Sequence, residues 1–265
     1  MRDTLGNRMK SYENVTRDYL TRRLPVIIRI DGKAFHTFTR GFQKPFDMIL
    51  MEAMWETTKY LCKNIQGCKV AYTQSDEISL LITDYETIDT CSWFDSNILK
   101  MASVSASMAT LAFNKAFQTI VYRTFGIYGN DAEDKSLEKF FKVYERKFMT
   151  ALFDSRVFTI PKEEVCNYFI WRQQDATRNS IQMVGRANFT AKMLNHKSGN
   201  DIQDMLFMEK GINWSELPAY KKRGACIAKE TYTLDNPQKT KRNRWSVDEN
   251  TPIFTKDRDY IEKFL

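Results

Sequence analysis

Two acidic motifs stand beside apolar runs that are typical of buried strands. Asp31 and Gly32 follow the run LPVIIRI (24–30), and QSDE (74–77) interrupts a second apolar run. Magnesium prefers oxygen ligands and keeps several waters, so a few carboxylates suffice to hold it. Two such ions about 4 Å apart lower the pKa of an attacking hydroxyl and stabilise a leaving phosphate. Asp31, Asp76 and the Gly32 carbonyl therefore form a candidate metal or phosphate site.

Both motifs could also be ordinary turns. Asp-Gly favours a two-residue hairpin turn, so the first strand could turn back into KAFHTFT (33–39). Ser75 and Asp76 could do no more than satisfy the backbone groups of a turn. Glu77 points to the opposite side of its strand from Asp76. It is therefore expected as an additional ligand or as a base behind the ligands.

The order of the surrounding elements determines whether the two motifs meet. Strands are predicted at 24–30, 70–72, 78–82 and 156–160, and helices at 47–67 and about 97–117. This β-α-β-β-α-β order, with an insertion at about 119–153, is that of the α+β, ferredoxin-like plan. Its four antiparallel strands would lie in the order 4-1-3-2, with two helices on one face. Strands one and three are then neighbours, so Asp31 and Asp76 are expected at the same edge of the sheet.

The last third of the chain is expected to pack on this core. Residues 1–160 form the predicted catalytic core, and residues 161–265 form a helical and basic C-terminal region that is not clearly a separate domain. Helices are predicted at 162–193 and 200–210, and a strand at 225–234.

Positive charge is concentrated in this C-terminal region. Residues 216–245 hold eight Lys or Arg against three acids, and the run begins with Lys221, Lys222 and Arg223. Such a run binds phosphates or is simply solvated. Tyr220 and Trp245 could stack on bases, although single aromatic residues more often pack in a core.

Composition limits the class of protein. The net charge of +7 and the pI of about 9.0 favour a polyanionic partner, although mild basicity also serves solubility. No run approaches the roughly 20 apolar residues of a membrane helix, and the N-terminal residues lack the apolar centre of a signal peptide. The five cysteines show no zinc-type spacing and indicate free thiols in a reducing cytoplasm.

Five stretches resemble the tRNA(His) guanylyltransferase family in sequence and in order. They are RIDGKAFHTF (29–38), KPFD (44–47), AYTQSDEISLLI (71–82), FDSRVF (153–158) and YFIWRQQDATRN (168–179). The resemblance implies a polymerase-palm-like core and a 3′-to-5′ polymerase that adds nucleotides to the 5′ end of tRNA. It also implies a homo-oligomer, often a tetramer.

The resemblance assigns roles to particular residues. It implies that Asp31 and Asp76 hold two Mg²⁺ ions with the Gly32 carbonyl, and that Glu77 supports catalysis. The implied contacts to the nucleotide are Asp31, Gly32, Lys33, Ala34, Phe35, His36, Lys44, Ser75 and Asp76. Arg172, Asn179, Lys221, Lys222 and Arg223 are weaker candidates for contacts with RNA or phosphate.

The implied reaction has two stages. ATP adenylylates the 5′-monophosphate of the RNA, and the 3′-hydroxyl of an incoming nucleotide, usually GTP, then attacks the activated phosphate. Eukaryotic members that add an obligatory guanosine carry His-Ile-Asn-Asn after the W-R-Q-x-D stretch. Here residues 177–180 read TRNS and keep only Asn179. The chain therefore resembles the bacterial and archaeal members, which favour templated repair of 5′-truncated tRNA.

The same residues are also compatible with a purely structural helix and with two different classes of protein. The W-R-Q-x-D match (Trp171, Arg172, Gln173, Asp175) could be a helix with a core Trp and a buried Arg–Asp pair. A palm-type nucleotide cyclase would have a similar metal site, but it needs neither this helix nor a basic C-terminal region. An RNA-binding module on the same plan would have no use for aspartates at a strand edge, because they repel phosphates.

Overall fold

The computed structural model describes residues 4–126, 135–234 and 239–265. In these residues six antiparallel strands form one sheet: β1 Val26–Gly32, β2 Cys68–Gln74, β3 Glu77–Ile82, β4 Phe153–Thr159, β5 Ala225–Thr233 and β6 Lys241–Asp248. The helices are α1 Leu5–Asn14, α2 Phe35–Phe38, α3 Met48–Asn64, α4 Ile98–Phe125, α5 Lys135–Glu145, α6 Val165–Asn188, α7 Ala191–Leu194, α8 Gly199–Lys210, α9 Ala219–Arg223 and α10 Asp259–Glu262.

The strands lie in the order β4-β1-β3-β2-β5-β6. The order 4-1-3-2 predicted for the first four strands is therefore confirmed, and β1 and β3 are neighbours. β1 ends at Gly32 rather than at residue 30, so Asp31 belongs to the strand. The alternative in which β1 turns back into a second strand is wrong, because residues 35–38 form the short helix α2.

The helix bounds differ from the prediction in several places. The helix predicted at 162–193 is divided into a 3₁₀ turn at Lys162–Glu164, α6 and α7, and α3 ends at Asn64 rather than at residue 67. α4 continues to Phe125, beyond the predicted end at residue 117, and α5 lies inside the predicted insertion at 119–153. α3 begins as predicted, because Asp47 caps it by accepting a hydrogen bond from the Leu50 N–H at 2.9 Å. β6 and α1 have no counterpart in the prediction.

Alternation along the strands gives the sheet two different faces. Ile28, Ile30, Ile78 and Leu80 belong to the large apolar cluster that α3 and α4 share. The other face, under α6 and α10, is apolar where Ile27 and Leu81 lie. Near the ends of β1 and β3 this second face becomes polar.

The C-terminal region extends the same sheet. β5 pairs with β2 from Val70↔Ala228 to Thr73↔Ala225. The Tyr72 hydroxyl donates to the Arg223 carbonyl at 2.8 Å. The next residue, Gly224, has φ +74°, and a Cβ there would lie 2.7 Å from the Thr73 carbonyl. No helix in the described ranges combines the length and the apolar character needed to cross a bilayer.

Candidate active site

The QSDE stretch is a two-residue hairpin turn between β2 and β3. Gln74 pairs with Glu77, which leaves Ser75 and Asp76 as the loop. Ser75 has φ +51°, a left-handed conformation that is uncommon outside glycine. Its hydroxyl donates to the Asp76 carboxylate at 2.9 Å. The turn therefore interrupts the apolar run and orients the Asp76 side chain.

Asp31 and Asp76 lie together at one edge of the sheet. The Gly32 N–H donates to the Asp76 carbonyl at 3.1 Å, and Asp31 is opposite Glu77 in the β1–β3 register. Burial raises the pKa of the Asp76 carboxyl, and the charge of Asp31 raises it further, against the Ser75 hydrogen bond. We call Asp31, Gly32 and Asp76 the carboxylate edge.

The carboxylate edge fits a magnesium ion by its chemistry. Its donors are two carboxylates that repel each other and a backbone carbonyl, all of them hard oxygen ligands. Among the described residues no group of three or more His, Cys, Asp or Glu side chains is arranged to hold a metal. A small donor set is nevertheless what magnesium uses when phosphates and waters complete its coordination.

A line of alternating charges leads from the carboxylate edge to α6. Arg29 approaches Asp31 at 4.0 Å and Glu77 at 2.8 Å. Glu77 is also bound by Arg172 at 2.7 Å, and Arg172 lies 3.3 Å from Asp175. Glu77 is thus held between two guanidinium groups, which the sequence did not predict. We call these five residues the charge chain.

The expected contact of Arg172 with RNA is contradicted by the structure. Only 4% of the residue is exposed, and its guanidinium binds Glu77 and Asp175, so it does not face an RNA surface. The alternative of a buried Arg–Asp pair is right as far as Arg172 is concerned. The core position that this alternative gives to the tryptophan is wrong, because Trp171 is 48% exposed and covers the Arg172 guanidinium.

The residues between Gly32 and His36 form a tight loop. Ala34 has φ +55° and precedes α2, whose first N–H groups have no partner within the helix. The expected contact of the Phe35 side chain with the nucleotide is wrong, because this side chain is buried against Phe38 and Phe153. A Cβ on Gly32 would lie 2.3 Å from that ring, so Phe35 also explains why residue 32 is glycine.

Basic side chains around this loop stay accessible. Lys33, His36 and Lys44 are exposed. The Lys33 N–H donates to the Leu152 carbonyl at 2.8 Å, which fixes the loop against the residues before β4. The three side chains are therefore free of the core and available to a ligand.

A pocket lies on the β2 side of the carboxylate edge, between α3, α6 and α9. Its lining is mainly apolar with several polar groups. The lining residues include Met51, Trp55, Ser75, Asn179, Met183, Tyr220 and Lys221. Two of the expected phosphate contacts, Asn179 and Lys221, therefore face one pocket next to Ser75.

The other two basic candidates of this run are held elsewhere. Lys222 donates to the Ser215 carbonyl, and Arg223 donates to the Thr251 carbonyl at 2.7 Å. Ser180 donates to the Lys221 carbonyl at 2.7 Å, so it joins α6 to the segment that carries Lys221. These contacts hold both side chains against the protein, and their contact with RNA or phosphate stays a prediction.

Two polar residues beside Asp31 were given no role from the sequence. Arg29 is two residues before Asp31, so strand alternation alone places both on one face. Asp154, in the FDSRVF stretch, is the residue of β4 directly opposite Asp31. Only the pairing of β4 with β1 identifies that neighbour.

Known proteins resemble this chain in sequence and in fold. A family model described as tRNAHis guanylyltransferase (Thg1) matches residues 6–161. A bacterial tRNA(His) guanylyltransferase (Thg1)-like protein solved in complex with ATP is 51% identical, with 98% of each chain covered and a TM-score of 0.83. Another such structure, in complex with GTP, is 48% identical over 99% of each chain, with a TM-score of 0.77. The tRNA(His) guanylyltransferase of Debaryomyces hansenii is 27% identical over 84% of this chain and 80% of its own length.

The fold, the carboxylate edge and these similarities define the protein as a nucleotidyltransferase. The nucleotide cyclase and the RNA-binding module are thereby set aside. The chain belongs to the tRNA(His) guanylyltransferase family, whose model matches more than half of its length. The resemblance of its motifs to that family is confirmed.

Proposed function

We propose that the protein adds nucleotides in the 3′-to-5′ direction to the 5′ end of tRNA, with GTP preferred and a template base directing the choice. The observation that carries this proposal is the meeting of Asp31 and Asp76 at one edge of the sheet. The names of the relatives support tRNA as the acceptor, and the ATP and GTP complexes of the two bacterial proteins support these nucleotides as substrates.

The reaction proceeds by two phosphoryl transfers. An oxygen of the RNA 5′-monophosphate attacks the α-phosphorus of ATP, and pyrophosphate leaves. The 3′-hydroxyl oxygen of the incoming nucleotide then attacks the RNA 5′-phosphorus, the P–O bond to AMP breaks, and the hydroxyl proton passes to solvent. An RNA 5′-triphosphate enters at the second step and releases pyrophosphate. Positioning and charge stabilisation supply most of the rate in such transfers.

The carboxylate edge would hold two Mg²⁺ ions through Asp31, Asp76 and the Gly32 carbonyl. Bound magnesium would supply positive charge at the reacting phosphate and lower the pKa of the attacking hydroxyl. Lys33, His36, Lys44 and Ser75, with the backbone of residues 34 and 35, would bind the triphosphate. Glu77 supports the site by holding Arg29, which in turn contacts Asp31.

The finer features of the fold and setting belong to the same proposal. The β1-α3-β2-β3-α4-β4 part would be a ferredoxin-like palm core at 1–160, with 161–265 as an elaboration packed on it. The five cysteines are unpaired, as suits a reducing cytoplasm. Self-association, as a tetramer, would be measured by light scattering coupled to size exclusion.

Templated repair rests on residues 177–180. Three of the four residues differ from His-Ile-Asn-Asn, and the Ser180 hydroxyl donates to the Lys221 carbonyl at 2.7 Å. Of the four, Asn179 keeps the residue of the family motif, and it lines the pocket together with Ser180. Addition that follows the opposing base is therefore expected rather than addition of guanosine regardless of it.

The test is extension of a 5′-monophosphorylated tRNA that lacks its first nucleotide, with Mg²⁺, ATP and the four nucleoside triphosphates. Wild-type protein should add the nucleotide complementary to the opposing base. Asp31→Ala and Asp76→Ala should abolish this, whereas Asp204→Ala, which removes an exposed carboxylate on α8, should not. Extension that survives in either of the first two variants would overturn the assignment of the carboxylate edge.

A further inference from the structure

Two aromatic environments flank the carboxylate edge. On the β2 side lies the pocket with Trp55 and Tyr220, adjacent to Ser75. On the β1 side, Trp171 lies beside Arg29. The pocket thus lies next to the β2 end of the turn, whereas Trp171 lies next to β1, and β3 separates these two strands in the sheet.

The Trp171 ring is held firmly from one side. The Arg172 guanidinium lies 3.7 Å from the ring centroid, and Arg172 is itself buried and ion-paired to Glu77. Tyr168 meets the ring edge-on, with centroids 5.9 Å apart and planes at 66°. With 48% of the residue exposed, the ring is fixed in orientation while a large part of it faces solvent.

This exposed ring is close to the chemistry. The Arg29 guanidinium lies 5.9 Å from the Trp171 centroid and 4.0 Å from the Asp31 carboxylate. One guanidinium group therefore separates the ring from the proposed metal ligand. A nucleotide whose phosphate lies at the carboxylate edge can therefore reach Trp171 with its base.

We propose that Trp171 is a stacking platform for the 5′-terminal base of the acceptor RNA, which seats the 5′-phosphate at the carboxylate edge. The proposal rests on the proposed function. The pocket on the β2 side, next to Ser75, offers the incoming nucleotide a base site of its own, which leaves Trp171 for the RNA. Arg172 strengthens the platform because a buried cation orients the ring, and an aromatic face accepts any base.

The test is a cycle between the ring and the base. Two versions of the truncated 5′-monophosphorylated tRNA are compared, one intact and one with an abasic ribose at the 5′-terminal position. The dissociation constant of each is measured by fluorescence anisotropy with a 3′-terminal label. The proteins are wild type, Trp171→Phe, Trp171→Leu and, as the matched control, Trp245→Leu. Lys229 lies over the Trp245 ring, so this tryptophan also has a cation on its face. Trp245 pairs with Lys229 between β6 and β5, one residue beyond the part of β5 that pairs with β2.

Loss of the base should weaken binding to wild type by about tenfold, the order expected for one stacked base. Trp171→Leu should bind both RNAs equally and as weakly as wild type binds the abasic RNA. Trp171→Phe should retain part of the difference, and Trp245→Leu all of it. KM for RNA should rise about tenfold in Trp171→Leu, while kcat at saturating RNA and the dissociation constant for GTP stay unchanged.

A full tenfold base effect in Trp171→Leu would overturn the proposal. Weakened GTP binding in that variant with unchanged RNA binding would also overturn it, by assigning the ring to the nucleotide. Failure of the proposed function is distinguished by the wild-type protein, which would then bind tRNA with the base effect but extend none. Thermal unfolding of each variant shows whether it is folded under the assay conditions.

Discussion

The two faces of the central sheet come from the same strands but contain different kinds of residue. On β1, Ile28 and Ile30 enter the apolar cluster under α3 and α4, while Arg29 and Asp31 face α6. The first face is held mainly by apolar packing, and the second by ion pairs near its end. One strand thus supplies the core and the site at once, because neighbouring side chains point to opposite faces.

The difference shows how carboxylates that repel each other are kept in place. Taking charges out of water is costly unless each is paired with good geometry. On the α6 face the signs alternate from Asp31 through Arg29, Glu77 and Arg172 to Asp175, so each buried charge has an opposite neighbour. The packed apolar face keeps the strands rigid, and the charge chain is ordered on their other face.

The largest effect is expected from breaking the charged face at its buried centre. Arg172→Ala should lower the free energy of unfolding by about 4 kcal/mol, because Glu77 loses its closest partner in a buried site. Activity in 5′ extension should fall about tenfold or more, since Arg29 and Asp31 lose their support. Urea unfolding and initial rates measure the two effects.

A double-mutant cycle controls this prediction. Arg172→Met, Glu77→Gln and the double variant should show a coupling energy of about 2 kcal/mol. Strictly additive losses would mean that the pair contributes no more than two independent side chains.

A smaller effect, on stability alone, is expected from the apolar face. Leu61→Ala should cost about 3 kcal/mol, because Leu61 is fully buried in the cluster under α3. Leu61 lies near the end of α3 that leads into the start of β2, whereas the QSDE turn follows the other end of that strand. The extension rate of the folded variant should therefore equal that of wild type; a reduced kcat at a temperature where it is fully folded would break the contrast between the faces.

The smallest effect is expected from a neutral polar pair on the α6 face. The hydroxyls of Ser79 and Tyr168 are 2.8 Å apart in the interior. Burial raises the pKa of Tyr168 to about 12, so its hydroxyl stays protonated at neutral pH. Tyr168→Phe should cost about 1 kcal/mol in urea unfolding, because the buried Ser79 hydroxyl loses its partner.

The matched control removes both hydroxyls. Tyr168→Phe combined with Ser79→Ala should be nearly as stable as wild type, since no buried group is then left unpaired. A double variant that loses as much as the two single variants together would show that the pair does not act as a unit.

Much of the sheet could be predicted because its signals are local. Apolar runs and the Asp47 cap located β1 to β4 and α3, and the order of elements was enough to place Asp31 beside Asp76. β6 was not predicted, because Lys241, Arg242 and Arg244 are exposed and polar and the strand forms by pairing with β5. α1 was not predicted, because none of its residues is buried.

The parts of the site that were missed depend on distant partners. Arg172 is 95 residues from Glu77 along the chain, and no local pattern links them. The sequence could therefore suggest a buried Arg–Asp pair but not the glutamate that Arg172 binds. The motif assigns Phe35 to the nucleotide because a motif records residue types, whereas packing decides where a side chain points.

The pairing of β5 with β2 has a consequence for any shortened form of the enzyme. The part of the chain that the family model matches stops at residue 161, but the sheet continues beyond it. A fragment that ends there would present the unpaired N–H and C=O groups of β2 along an apolar strand, as a template for strands of other molecules. We expect such a fragment to aggregate during expression. By pairing with β2, the C-terminal region therefore prevents this strand from pairing with strands of other molecules.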